Sequence, residues 1–233
     1  MTIPPSITLS GNEAFCDCYA IESLYITDLA AWCSIYFAGN NSYPFITDGL
    51  FGTPSPEERT LYVNGTKVTT LTFPDGVTSI GNYAFCGFTG ITDIQFNQVT
   101  DIGQNSFARC NGLTDVTIPD GVIDISFSAF HDCTQLRSMS IPATLSSNSG
   151  LAMMYNCMAL TDFYVHWTEN IPTWMGYTNK SPQTDITLHV PCGTEELYNA
   201  ASGWNGYTIE ADGGPFTITV RANEDGVGTV NIE

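Results

Sequence analysis

A strand-rich repeat solenoid of the α/β type, built on a parallel sheet and carrying few short helices, is the fold that this sequence predicts. Three observations lead there. A large apolar residue, two variable residues and a Cys recur in five copies aligned on Cys18, Phe88, Cys110, Cys133 and Cys157, the last four spaced by 22, 23 and 24 residues. Apolar columns keep fixed offsets from that position. Phe15, Phe85, Phe107, Phe130 and Met154 stand three earlier; Leu24, Ile94, Val116, Met139 and Phe163 stand six later; Ile26, Phe96, Ile118, Ile141 and Val165 stand eight later. Around them polar and apolar residues alternate, the signature of a strand with one buried face. A unit this short cannot bury that face alone, so stacked neighbours must supply the core.

Each element follows from local chemistry. In "NGLTDVTIPDGVIDISFSAFHDC", the strand Thr114 to Ile118 is stopped by Pro119, which has no ladder donor, and Asp120-Gly121 turns the chain. Val122 and Ile125 begin the return, and Ser128 to Cys133 is too short for more than about one helical turn. The solenoid is expected over residues 1–212, with insertions at 27–70 and 166–183. Within the first insertion, Asp28 suits the cap of a short helix through Ala30, Ala31 and Trp32, and Asn64-Gly65 between "LYV" and "KVTTLTF" signals a two-residue hairpin. A last rung carries Asp185, Ile186, Thr187 and Leu188 if its missing column position is residue 180. A cap at 191–212 follows, with a helix over Thr194 to Ala201 whose first turn holds Glu195 and Glu196. Residues 213–233 alternate around Asp225-Gly226, which predicts a β-hairpin that is either docked or the start of a β-rich module.

Composition narrows the function classes. With 43% hydrophobic and 13% charged residues the chain has material for a real core. Six Lys and Arg against 24 Asp and Glu give a net charge of -18, which repels nucleic acid and anionic membranes. No apolar run is long enough to insert into a membrane, and "TIPPSITLSGNEAF" after Met1 lacks the basic start and apolar stretch of a signal peptide. The chain opens in mid-pattern and reads as a fragment. Of eight Cys, four (Cys18, Cys110, Cys133 and Cys157) occupy the column where a small buried group is needed, and no Cys-x-x-Cys zinc spacing occurs. Hydrolase elbows and His-Glu-x-x-His are absent, and the "HDC" at 131–133 points its side chains in different directions. Gly81 and Gly103 follow Ile in the turn, where backbone geometry explains them better than phosphate binding. No enzyme and no cofactor are expected.

The segments "IPDGVIDISFSAFHDCTQLRSMSIP" and "FPDGVTSIGNYAFCGFTGITDIQF" resemble the BspA-like, or treponemal, type of leucine-rich repeat, over roughly residues 3–26 and 71–165. That resemblance implies a right-handed leucine-rich-repeat solenoid with a concave sheet, exposed on or outside the cell in Bacteroidetes and used in adhesion to host proteins, other bacteria or glycans. Phe88 in place of the column Cys, and "SSNSGLAMMYNC", depart from the pattern. "TITVRANEDGVGTV" is similar to the opening of β-rich repeats that accompany the family.

The register then sorts buried from exposed side chains. At offset five stand Ser23, Asp93, Asp115, Ser138, Asp162 and Asp185; at offset seven, Tyr25, Gln95, Thr117, Ser140, Tyr164 and Thr187. Carboxylates on rungs about 5 Å apart repel by about 0.8 kcal/mol in water, a cost that a cationic partner would relieve. The expected ligand-binding residues on the concave face are Tyr25, Asp93, Gln95, Asp115, Thr117, Asp162, Tyr164 and Asp185. Simple solvation of an acidic face is the alternative, and a Ca²⁺ site has no supporting loop pattern. His166 and His189 fall at offset nine on successive rungs by this register, a metal pair without a third ligand, or two exposed imidazoles at strand ends. The aromatics Trp32, Tyr36, Tyr43, Phe45 and Phe51, with Trp167, Trp174 and Tyr177, either stack on sugar or fasten the insertions to the solenoid.

The expected function is a non-catalytic surface or secreted module that adheres to a host or bacterial surface protein. The alternatives are a glycan-binding module of a larger polysaccharide-handling protein, or a structural spacer.

Overall fold

The computed structural model describes residues 2–6, 9–10, 21–37, 59–146, 152–173, 183–213, 218–222 and 228–232. In chain order the elements are β1 (Thr2–Ile3), β2 (Leu9–Ser10), β3 (Ser23–Ile26), α1 (Leu29–Cys33), β4 (Tyr36–Phe37), β5 (Thr60–Val63), β6 (Thr66–Val68), β7 (Thr70–Thr72), β8 (Ser79–Ile80) and β9 (Asp93–Gln95). After these come β10 (Asp101–Ile102), β11 (Asp115–Thr117), β12 (Asp124–Ile125), β13 (Ser138–Ile141), β14 (Asp162–Val165), β15 (Thr187–Pro191), α2 (Glu195–Ala200), β16 (Thr208–Asp212), β17 (Ile218–Ala222) and β18 (Gly228–Ile232). The protein is strand-rich, with few short helices.

Two parallel strand stacks run through it. The broad face is built from β1-β3-β5, then β7-β9, then β11-β13-β14-β15-β16. A narrower stack, β8-β10-β12, carries the return path and pairs Ser79 with Asp101 and Asp101 with Asp124. Alternation does what strand geometry demands. Leu24, Leu71, Ile94, Val116, Met139, Phe163 and Leu188 point into the core while their neighbours reach solvent.

Between the two stacks each unit makes a run of turns instead of a helix. Residues in the left-handed region recur at two positions, at Tyr83, Asn105, Ser128 and Ala152, and at Gly87, Arg109, Asp132 and Asn156. Those conformations aim backbone groups along the stack. Phe85 N–H donates to Ser106 O at 2.8 Å, Phe107 N–H to Ala129 O at 2.8 Å and Phe130 N–H to Met153 O at 2.8 Å. The rings of the same residues lie over one another, Phe85 on Phe107 at 5.5 Å and Phe107 on Phe130 at 5.2 Å, nearly parallel. Among the described residues the column thiols close the motif, Cys110, Cys133 and Cys157 donating to the carbonyls of Phe85, Phe107 and Phe130 at 3.1 to 3.2 Å. The described Cys residues are free. Burial pushes the Cys86 thiol up to about 12, and Cys110 and Cys133 well above the ordinary range, so these groups are packing material. Cys16 and Cys18 lie outside the described residues.

The insertion chemistry is as local signals dictate. Asp28 caps α1, accepting from Ala31 N–H at 2.9 Å. Asn64 and Gly65 both have positive φ, 50° and 78°, the geometry that joins β5 to antiparallel β6. Within the insertion at 27–70, β5 pairs parallel with β3 as a rung and sets Tyr62 beside Tyr25. In 191–212 the helix α2 is followed by one more rung, β16, parallel to β15. The far end is closed by aromatic packing. Trp204 lies against Phe163, Trp167, Tyr198 and Tyr207, and Tyr198 OH donates to Trp167 O at 3.0 Å. β17 and β18 form an antiparallel hairpin.

Candidate interaction surface

Side chains on the outer side of the broad sheet form two rows. Register places Ser23 beside Thr60, Thr70 beside Asp93, Asp115 beside Ser138, and Ser138, Asp162, Thr187 and Thr208 in succession. The second row sets Tyr25 beside Tyr62, Thr72 beside Gln95, and Thr117, Ser140, Tyr164, His189 and Glu210 in succession. Tyr25, Asp93, Gln95, Asp115, Thr117, Asp162 and Tyr164 thus stand on one face, as their offsets predict.

Asp185 does not. It sits in a 3-10 turn over Gln183–Asp185, and the residue opposite Asp162 is Thr187. The last rung is shifted by two residues from the expected register, because the insertion before it breaks the count. The same shift separates the two imidazoles. His189 lies opposite Tyr164, one row away from His166, and each has its own partner. His166 Nε2 is 3.0 Å from the Ser140 hydroxyl, and His189 Nε2 is 2.9 Å from Asp162 Oδ1. Among the described residues no group of three His, Cys, Asp or Glu side chains is placed to hold a metal.

Two aromatic plates bracket the acidic middle. At one end Tyr25, 39% exposed, stacks on Tyr62 with centroids 4.5 Å apart. At the other, Tyr164 stacks on His189 at 4.1 Å, its ring nearly parallel to the imidazole. The Asp162 carboxylate accepts from His189 and from Thr161 Oγ1 at 2.8 Å, and the His189 hydrogen bond holds its pKa below the usual carboxylate value. Desolvation, helped by the charges of Asp162 and Asp212, raises the Tyr164 hydroxyl. Tyr62, His189 and Glu210 were not read from the sequence as members of this face. The 21-residue step from Thr187 to Thr208, one repeat length, is the signal that would have exposed the β16 rung.

Elsewhere the polar groups serve the stack. Asp132 faces Arg109 at 3.3 Å and accepts from Asn156, one rung on either side. Burial acts to raise the Asp132 carboxyl, but hydrogen bonds from His131 and Asn156 and the Arg109 charge hold it below its ordinary value. The "HDC" run resolves into this ladder plus a column thiol. Its His131 is buried and stacked on Tyr155 at 5.4 Å. Of the insertion aromatics, Trp32 is buried with Nε1–H donating to Ala84 O at 2.8 Å, and Trp167 is buried in the terminal cluster. Both fasten the insertions to the solenoid instead of offering a plate to sugar. Tyr43, Phe45, Phe51, Trp174 and Tyr177 lie outside the described residues.

Six copies of the BspA type leucine rich repeat region match residues 58–178, just over half of the chain. The chain belongs to this family. The matched residues contain the parts of both rows from Thr60 to Tyr164. Among solved structures the protein is similar to the pneumococcal vaccine antigen PcpA, at 13% identity and a TM-score of 0.53 over 91% of this chain and 67% of that one. It is also similar to a leucine rich cell surface protein from Faecalibacterium prausnitzii A2-165, at 22% identity and a TM-score of 0.34. That match covers 71% of this chain and 31% of the other, so this BspA-type chain spans about a third of that relative. A leucine-rich repeat protein from Bacteroides ovatus ATCC 8483 matches at 15% identity and a TM-score of 0.27, over 89% and 64% of the two chains. No curated protein matches. No helix among the described residues is long and apolar enough to cross a membrane.

Proposed function

We propose that this BspA-type solenoid is a non-catalytic module, displayed on or outside the cell, that adheres to a protein partner through the broad face. One observation carries the reading: the two polar rows of the broad face are acidic in the middle and flanked by aromatic plates, Tyr25–Tyr62, where Tyr25 is exposed, and the half-buried Tyr164–His189. Aromatic plates are the side chains that interfaces favour, and the acidic middle selects a basic patch. Membership of the BspA-type repeat family supports the location.

The experiment sets host extracellular-matrix proteins and a glycan array against the chain in parallel. A protein partner whose affinity falls steeply with added salt fits the reading. Glycan binding that survives salt and quenches Trp fluorescence would replace it with the sugar-binding alternative.

A further inference from the structure

The broad sheet is interrupted twice, between the β5–β6 pair and β7 and between β9 and β11. Among the described residues no strand pair joins β9 to β11, although β7 pairs with β9 and β11 with β13 on either side. At the second interruption lies a cleft of about 540 Å³ whose walls carry Asp93 and Gln95 on one side and Asp115 and Thr117 on the other. Its floor is the core column itself. Ile94 is 9% and Val116 5% exposed, whereas Leu24, Leu71, Met139, Phe163 and Leu188 in the same column are all fully covered. The interruption therefore leaves the edges of Ile94 and Val116 within reach beneath two carboxylates.

Both carboxylates have only neutral local partners. Gln95 Nε2 donates to Asp93 at 2.9 Å and Thr114 Oγ1 to Asp115 at 2.7 Å. No Lys or Arg among the described residues forms an ion pair with either.

From this geometry we infer that the cleft is a subsite for an arginine or lysine side chain of the protein partner. This rests on the reading of the broad face as a protein-binding surface. The match is one of two chemistries in sequence. A long cationic side chain has an apolar stem, which the Ile94 and Val116 edges receive, and a charged head, which Asp93 and Asp115 flank. Arginine suits the site better than lysine, because its planar head offers several fixed donors to two carboxylates and to the carbonyls of an unpaired strand edge. A divalent cation would leave the apolar floor unused, and two Asp alone do not make a metal site.

The test uses capped pentapeptides with a central arginine, or its uncharged isostere citrulline, titrated calorimetrically into the full chain. Three forms of the protein are compared: unaltered, Asp93→Asn with Asp115→Asn, and Asp75→Asn with Glu169→Gln at exposed positions outside the strands of the broad face. Matched thermal melts confirm that each is folded. Arginine peptide is expected to bind about tenfold or more tightly than citrulline, and the Asp93/Asp115 variant alone to lose that difference. Equal binding of the two peptides, no binding, or equal losses in both variants would overturn the subsite. The same variants are tested for binding the full protein partner, together with Ser140→Trp, which obstructs the middle of the face. If only Ser140→Trp abolishes partner binding, the cleft is rejected while the face stands; if neither it nor the Asp93/Asp115 variant does, the broad-face reading falls as well.

Discussion

Gly103 shows how tightly successive units are joined. A Cβ at this position would stand 2.5 Å from Ile80 O and 2.8 Å from Asn82 N, both backbone atoms of the previous unit, and Gly103 N–H donates to Ile80 O at 2.9 Å. Neither neighbour can rotate away. Gly103→Ala is expected to cost about 1–3 kcal/mol by urea denaturation; a change within 0.5 kcal/mol, the range of an exposed substitution, would contradict the close approach. The Ile-Gly pair pointed to backbone geometry in the sequence, but which atoms press on it requires the neighbouring rung. Asp162 makes a second case. Its folded pKa is depressed, so its contribution to stability is fully present above the unfolded value of about 3.9 and is lost as pH falls through the folded value. His189→Gln should raise the Asp162 titration midpoint, followed by carboxyl NMR, toward that unfolded value. An unmoved midpoint would mean that the imidazole is not what lowers it.

At the scale of the repeat, the stacked Phe column and the thiols beneath it form a second spine parallel to the strands. Phe107 lies between Phe85 and Phe130 and is fully buried, so Phe107→Ala removes both stacks and leaves a cavity. A loss of about 3–5 kcal/mol is expected in chemical denaturation. A loss under about 1 kcal/mol would mean that the spine relaxes freely. Much of this element was legible. Offsets from the Cys column separate buried from exposed positions correctly along β9, β11, β13 and β14. The failure at β15 has a physical cause. A strand alternates with period two, so a two-residue slip keeps Leu188 buried and leaves the pattern looking right. Alternation alone cannot detect an even slip, and Asp185 was placed on the face for that reason. The turn segment was hidden differently: at neither of its two positive-φ positions, Tyr83, Asn105, Ser128 and Ala152 or Gly87, Arg109, Asp132 and Asn156, does a residue type recur from one repeat to the next. Only the inter-rung hydrogen bonds that their conformation permits unify them.

Over the whole molecule, charge and shape act together. A net charge of -18 on a stack with 24 acidic and six basic residues creates a field that attracts any basic protein, so salt-sensitive binding alone does not locate a site. Location comes from comparing equal charge changes at different places. The triple Asp93→Asn, Asp115→Asn, Asp162→Asn alters the broad face, while Asp75→Asn, Asp120→Asn, Glu169→Gln removes the same charge from exposed positions outside its strands. The affinity of a protein partner at fixed ionic strength, measured for both triples and the unaltered chain, tests the account most directly. The broad-face triple is predicted to weaken binding about tenfold or more while the other leaves it within about twofold; equal losses from the two triples would show that the partner responds to net charge alone and would contradict the assignment of the face.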